Sequence, residues 1–94
     1  MNNSIILEFE KTLVGLAGYP FGKATFEKFG KGKVDENQAI RVVIPERIER
    51  VASSFVQGFF SEWIDEYGVD WVRKNVDIST SREDVRQYMY KNLE

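Results

Sequence analysis

The chain has 94 residues, 43% of them hydrophobic types, which suffices for one buried core and not for two, so residues 1–94 are expected to form a single domain. Acidic side chains number 15 against 13 basic ones, for a formal charge of -2, and no long-range field therefore draws the protein toward nucleic acid or an anionic membrane. Cysteine and histidine are both absent, which excludes disulfides, thiolate zinc sites, histidine-ligated metals and every serine–histidine or cysteine–histidine catalytic arrangement.

The opening Met1-Asn2-Asn3-Ser4 lacks the positive flank and apolar run of a signal peptide. No stretch approaches the roughly 18 apolar residues that a membrane-spanning helix needs. The expected location is the cytoplasm, with which a cysteine-free chain is compatible.

Ser4 to Glu10 is the first predicted element, a half-buried strand with Ile5, Leu7 and Phe9 on one face and Ile6, Glu8 and Glu10 on the other. At a sheet edge it would permit pairing with a second copy of the chain. The pattern then loosens through five glycines between Gly15 and Gly32. Within that stretch Thr12 to Ala17 can continue as a second strand, and Phe26 and Phe29 stand at helical spacing in Lys23 to Phe29.

Ile40 to Ile44 is a nearly continuous β-branched run stopped by Pro45, the pattern of a central strand covered on both faces. Glu46 to Val51 follows as a charged linker pegged by Ile48 and Val51. Ser54 to Tyr67 is the clearest helix, with Phe55, Val56, Phe59, Phe60, Trp63, Ile64 and Tyr67 on one wide stripe. Ser54 with Gln57 fits a capping box, and Gly68 stands where a left-handed cap would close the helix. Gly58 inside the stripe costs on the order of 1 kcal/mol of helix propensity, and a close approach of the helix to the sheet is its expected reason.

Val69 to Asn75 reads as a short helical turn, Val76 to Ser79 as a short strand. Thr80-Ser81-Arg82-Glu83 offers a second capping box for a last helix on which Val85, Tyr88 and Met89 share a face. Strands alternating with helices in this order imply an α/β fold, a small mixed β-sheet with helices packed against it.

The stretch from Ile40 through the run Ile44-Pro45-Glu46-Arg47-Ile48-Glu49-Arg50-Val51-Ala52-Ser53-Ser54-Phe55 to Phe60 resembles the STAS-like domain family of unknown function. There a β-branched strand leads through a short connection to a serine pair, a phenylalanine and a helix. The layout also resembles the wider STAS group of bacterial anti-sigma-factor antagonists, most strongly from Ile40 to Ser79. The resemblance implies a non-catalytic regulatory module that docks onto a protein such as a kinase-like ATPase or an anti-sigma-type regulator. In the antagonists a D-S-S-G motif before the long helix carries a phosphorylated serine. Here Ser53 and Ser54 match the serines, while Ala52 and Phe55 replace the acidic residue and the glycine.

Ser53 and Ser54 are therefore the candidate contact or phosphorylation residues, at a helix start whose free N–H groups and dipole favour an oxygen or a phosphate. N-capping alone would equally explain a serine there. Arg47, Glu49, Arg50 and Gln57 complete the candidate partner-binding surface. Other motifs fall short. Gly18, Gly22, Lys23 and Thr25 resemble a phosphate loop but miss its spacing, and a flexible connection explains them better. Lys28, Lys31 and Lys33 with Phe26 and Phe29 form a basic and aromatic cluster too thin for nucleic acid. Glu46 and Glu49 could share acid and base roles only in a pocket. No cofactor or metal is implied and no enzymatic activity is expected; a steric inhibitor or self-assembling protein of phage or mobile-element origin is the alternative class.

Overall fold

The computed structural model describes residues 3–94; Met1 and Asn2, part of the opening read above for a signal peptide, lie outside the described residues. The elements in chain order are β1 (Ser4–Ile6), β2 (Gly15–Leu16), α1 (Tyr19–Phe29), β3 (Ile40–Val43), β4 (Arg50–Val51), α2 (Ser53–Tyr67), α3 (Val69–Asn75), β5 (Val76–Ser79) and α4 (Glu83–Lys91). The α/β class read from the sequence holds. Its sheet does not come as one mixed layer: β1, β3 and β5 form a three-stranded sheet in the order β1-β3-β5, β2 and β4 form a separate ribbon, and every pairing is parallel.

Parallel neighbours need crossovers, and the chain supplies them as α1 between β1 and β3 and as α2 with α3 between β3 and β5. Two crossovers running the same way across a sheet put their helices on one face when both take the usual right-handed sense. Accordingly α1 and α2 pack on each other. The sheet turns Ile5, Ile40, Val42, Val76 and Ile78 toward them, all buried. The opposite face carries Ile6, Arg41 and Asp77, all exposed, beside half-buried Val43 and Ser79. β3 is central in pairing, as predicted, yet it is not covered on both faces. Among the described residues no element supplies the second layer of helices that parallel sheets usually carry.

Burial along the first segment alternates through Leu7 and Glu8 as predicted, although pairing ends at Ile6. The stripe of α2 buries Phe55, Val56, Phe59, Phe60 and Trp63 completely, each worth about 1.5–3 kcal/mol of transfer free energy. Ile64 is half-buried and Tyr67 is exposed, so the stripe narrows toward the C-terminal end. Gly68 closes the helix at φ 93°, the positive value expected of it, and its N–H donates to the Ile64 carbonyl.

The start of α2 departs from expectation. Ala52 is the N-cap and makes no side-chain cap, while Ser54 already lies inside the helix. Its hydroxyl is engaged elsewhere, and Gln57 reaches the Glu94 carbonyl at 2.8 Å rather than back to the cap. The second capping box also fails: Arg82 caps α4, and Thr80 Oγ1 accepts from Arg82 N–H at 3.2 Å in a turn.

Gly18 to Thr25, predicted as a flexible connection, is the N-cap and first two turns of α1. Gly22 and Gly58 explain each other. A Cβ on Gly22 would stand 2.7 Å from Phe59 N, and one on Gly58 would stand 2.9 Å from the Tyr19 carbonyl carbon. Both lie inside contact distance of backbone, which cannot swing aside as a side chain can. Gly58 thus permits a close approach to α1, not to the sheet.

Candidate functional site

At the N-terminal end of α2 the structure gathers some of the predicted residues and diverts others inward. Arg47 is half-buried, and its guanidinium donates to the carbonyls of Phe9 and Glu10, the second at 2.9 Å, while its Nε is buried without a partner. It fastens the segment after β1. Ser54 Oγ accepts from Gly18 N–H at 3.0 Å, because Gly18 turns at φ 103° to start α1 and points its amide at the first turn of α2. Gln57 ties the C-terminal residue to the helix. All three hold the fold.

Glu49, Arg50 and Ser53 face outward. Glu49 and Arg50 are exposed, and Glu49 pairs with Arg82 at 3.6 Å. Ser53 is the half-buried first residue of α2, and its hydroxyl makes no hydrogen bond among the described residues. The twin serines therefore differ: one is spent on the fold and the other is free.

Glu49, Arg50 and Val51 form one wall of an open groove of about 690 Å³, with Gly15 to Ala17 of the ribbon beside them and Asp84, Val85 and Tyr88 of α4 opposite. Leu16, Val51 and Val85 are buried and make its floor, while Tyr88 stands 43% exposed at its lip. Glu49, Arg50 and Asp84 give the rim charges of both signs. Groove and Ser53 are contiguous through Ala52. Such a hollow presents apolar area flanked by alternating charge, a surface suited to a side chain or a turn of a partner.

Tyr88 and Asp84 were missed as site residues because the sequence assigned Tyr88 to the core face with Val85 and Met89. Their spacing does put Tyr88 on that side of α4, but only Val85 and Met89 reach the interior. A second hollow of about 660 Å³ runs between the segment after β1 and the outer face of α1, where Phe9, Leu13, Phe21 and Phe29 meet Glu8, Glu10 and Lys28.

The remaining motifs resolve into structure. Gly22 is buried and Lys23 is exposed on α1, so no phosphate cradle forms. Phe26 is buried against Phe59 and Trp63, while Lys31 pairs with Glu62 at 3.3 Å and Lys33 caps the Lys28 carbonyl. Glu46 and Glu49 are both exposed in a segment without an enclosed pocket. One constellation had no signal in the sequence: Glu36 accepts from Trp63 Nε1–H and from Tyr67 O–H, both at 2.8 Å, and Tyr67 stacks on Trp71 at 4.4 Å. The Glu36 carboxylate pushes the Tyr67 hydroxyl up to about 12.

Among the described residues no group of three or more metal-ligating side chains is close enough to hold an ion, and no helix is long and apolar enough to cross a membrane. No family model, curated protein or solved structure matches the chain.

Proposed function

We propose that the protein is a non-catalytic regulatory module of the STAS-like type, working in the cytoplasm by docking onto a protein partner, with a kinase-like ATPase or an anti-sigma-type regulator as the partner class. The observation that carries this reading is the groove beside the N-terminus of α2, with its apolar floor, mixed rim charges and unengaged Ser53. The order of strand, serine pair and long helix supports it, as does a composition without histidine or cysteine. Partner contact is assigned to Glu49, Arg50, Ser53, Asp84 and Tyr88. Ser54, Arg47 and Gln57 act by holding that surface in place. Of the two serines, Ser53 is the one whose phosphate would face a partner without breaking a contact of the fold.

The test is co-purification from the cells that make the protein, followed by reconstitution with the recovered partner. Arg50→Glu and Tyr88→Ala are expected to weaken binding at least tenfold, whereas Lys74→Glu, beyond the opposite end of α2, leaves it unchanged. Circular dichroism checks that each variant folds. A partner that binds all of these variants equally would refute the groove, and substrate turnover by the purified chain would refute the non-catalytic reading.

A further inference from the structure

The hollow of about 660 Å³ beside α1 is separate from the groove, and its size falls within the range of about 300–1,000 Å³ usual for sites that take small molecules. Phe21, Ala24, Thr25 and Lys28 follow one another at helical spacing along one face of α1. The small Ala24 between Phe21 and Lys28 leaves a dip in that face, and buried Thr25, whose hydroxyl donates back to the Phe21 carbonyl at 2.7 Å, closes its bottom. The facing wall is the segment after β1, which the chain itself fixes in place. Arg47 donates to the Phe9 and Glu10 carbonyls, and Leu13 N–H donates to the Glu10 carbonyl at 3.0 Å. Phe9 and Phe21 meet edge-on at 5.8 Å between ring centres and both pack on Phe55, so these rings also have set positions.

Charges of opposite sign stand on the two walls. Glu8 and Glu10 are exposed on the segment and Lys28 is exposed on α1, and among the described residues none of the three forms an ion pair. The Lys28 ammonium lies 5.2 Å over the Phe29 ring, which holds it at the rim. We propose that this hollow binds a small apolar zwitterion, a dipeptide with free ends and large apolar side chains. Its ammonium pairs with Glu8 and Glu10, its carboxylate pairs with Lys28, and its side chains lie against Phe9, Leu13, Phe21 and Phe29. A purely anionic ligand would face the two glutamates and a purely cationic one would face Lys28, so only a molecule carrying both signs satisfies the two walls together. Two extended residues span about 7 Å, which sets the two charges apart as the walls do, whereas a single amino acid carries both on one carbon.

Calorimetric titration of the purified chain with L-leucyl-L-phenylalanine tests this, and because it needs no protein partner its outcome is independent of the groove. Saturable one-to-one binding is expected, weakened about tenfold when the dipeptide is N-acetylated, when it is C-amidated, or when free L-phenylalanine replaces it. Ala24 is exposed, so Ala24→Phe fills the dip from the surface and is expected to abolish binding in a chain that circular dichroism shows to be folded. Lys28→Met should weaken the dipeptide about tenfold and leave its amide unaffected, while Glu8→Gln with Glu10→Gln does the same for the dipeptide and its acetylated form. Absence of saturable binding, equal binding of the singly charged forms or of L-phenylalanine, or indifference to Ala24→Phe overturns the inference.

Discussion

In its first half α2 meets α1 backbone to backbone, with Gly58 against Tyr19 and Gly22 against Phe55 and Phe59; in its second half it is held through side chains, Trp63 and Tyr67 both donating to Glu36. The first kind of contact is set by shape and leaves no room for a substituent. The second is set by charge and hydrogen bonding and responds to pH. Position along one helix therefore decides whether a change is punished sterically or chemically. The candidate groove reaches the start of the first half through Ala52.

Replacing Gly58 by alanine is the strongest way to break this contrast. Helix propensity favours alanine by about 1 kcal/mol, but the added methyl must displace the Tyr19 backbone, and overpacking against backbone sits at the upper end of the usual range, about 3 kcal/mol. A net loss of about 2 kcal/mol of unfolding free energy, read as a lower urea midpoint at unchanged slope, is expected for Gly58→Ala. A gain in stability would mean that the close approach is not maintained in solution.

Ser54→Ala comes next, removing the acceptor of Gly18 N–H for a cost of about 1 kcal/mol. Ser53→Ala should stay within about 0.5 kcal/mol of the parent, as surface changes without a partner do. Equal effects at the two serines would erase the distinction between the structural and the free hydroxyl.

The smallest effect belongs to the second half of α2. Tyr67 is raised from 10.0 to about 12, first through its hydrogen bond to Glu36. A group whose pKa rises on folding contributes stability that is complete below its unfolded value near 10 and is lost as pH climbs through about 12. Ultraviolet titration should show one tyrosine ionising late, and Glu36→Gln should return it toward the ordinary range. A late tyrosine that persists in the variant would show that another neighbour sets the shift.

Much of the fold was legible because it is written in local periodicity. The stripe from Phe55 to Trp63, the β-branched run at Ile40 and the glycine at 68 each follow from spacing within a single element. The groove was legible in part. Glu49, Arg50 and Ser53 lie on one continuous stretch, whereas Asp84 and Tyr88 come from α4 and join them only when the chain folds back. Both capping boxes misled: in the first the matching residues had partners far away in sequence, Gly18 for Ser54 and Glu94 for Gln57, and in the second Thr80 accepts from Arg82 only two residues on.

By itself the sequence determined the class of the molecule and the identity of its main helix, since apolar spacing depends only on the geometry of the helix and the strand. It also determined which chemistries the chain lacks. Tertiary structure alone decided that Gly58 faces a helix instead of a sheet, that Arg47 is spent on the fold, that Glu36 joins Trp63 and Tyr67, and that side chains of α4 close the β5 edge of the sheet. Each of these is a pairing between residues eight or more positions apart, and no local pattern records a partner whose distance is set by the whole path of the chain.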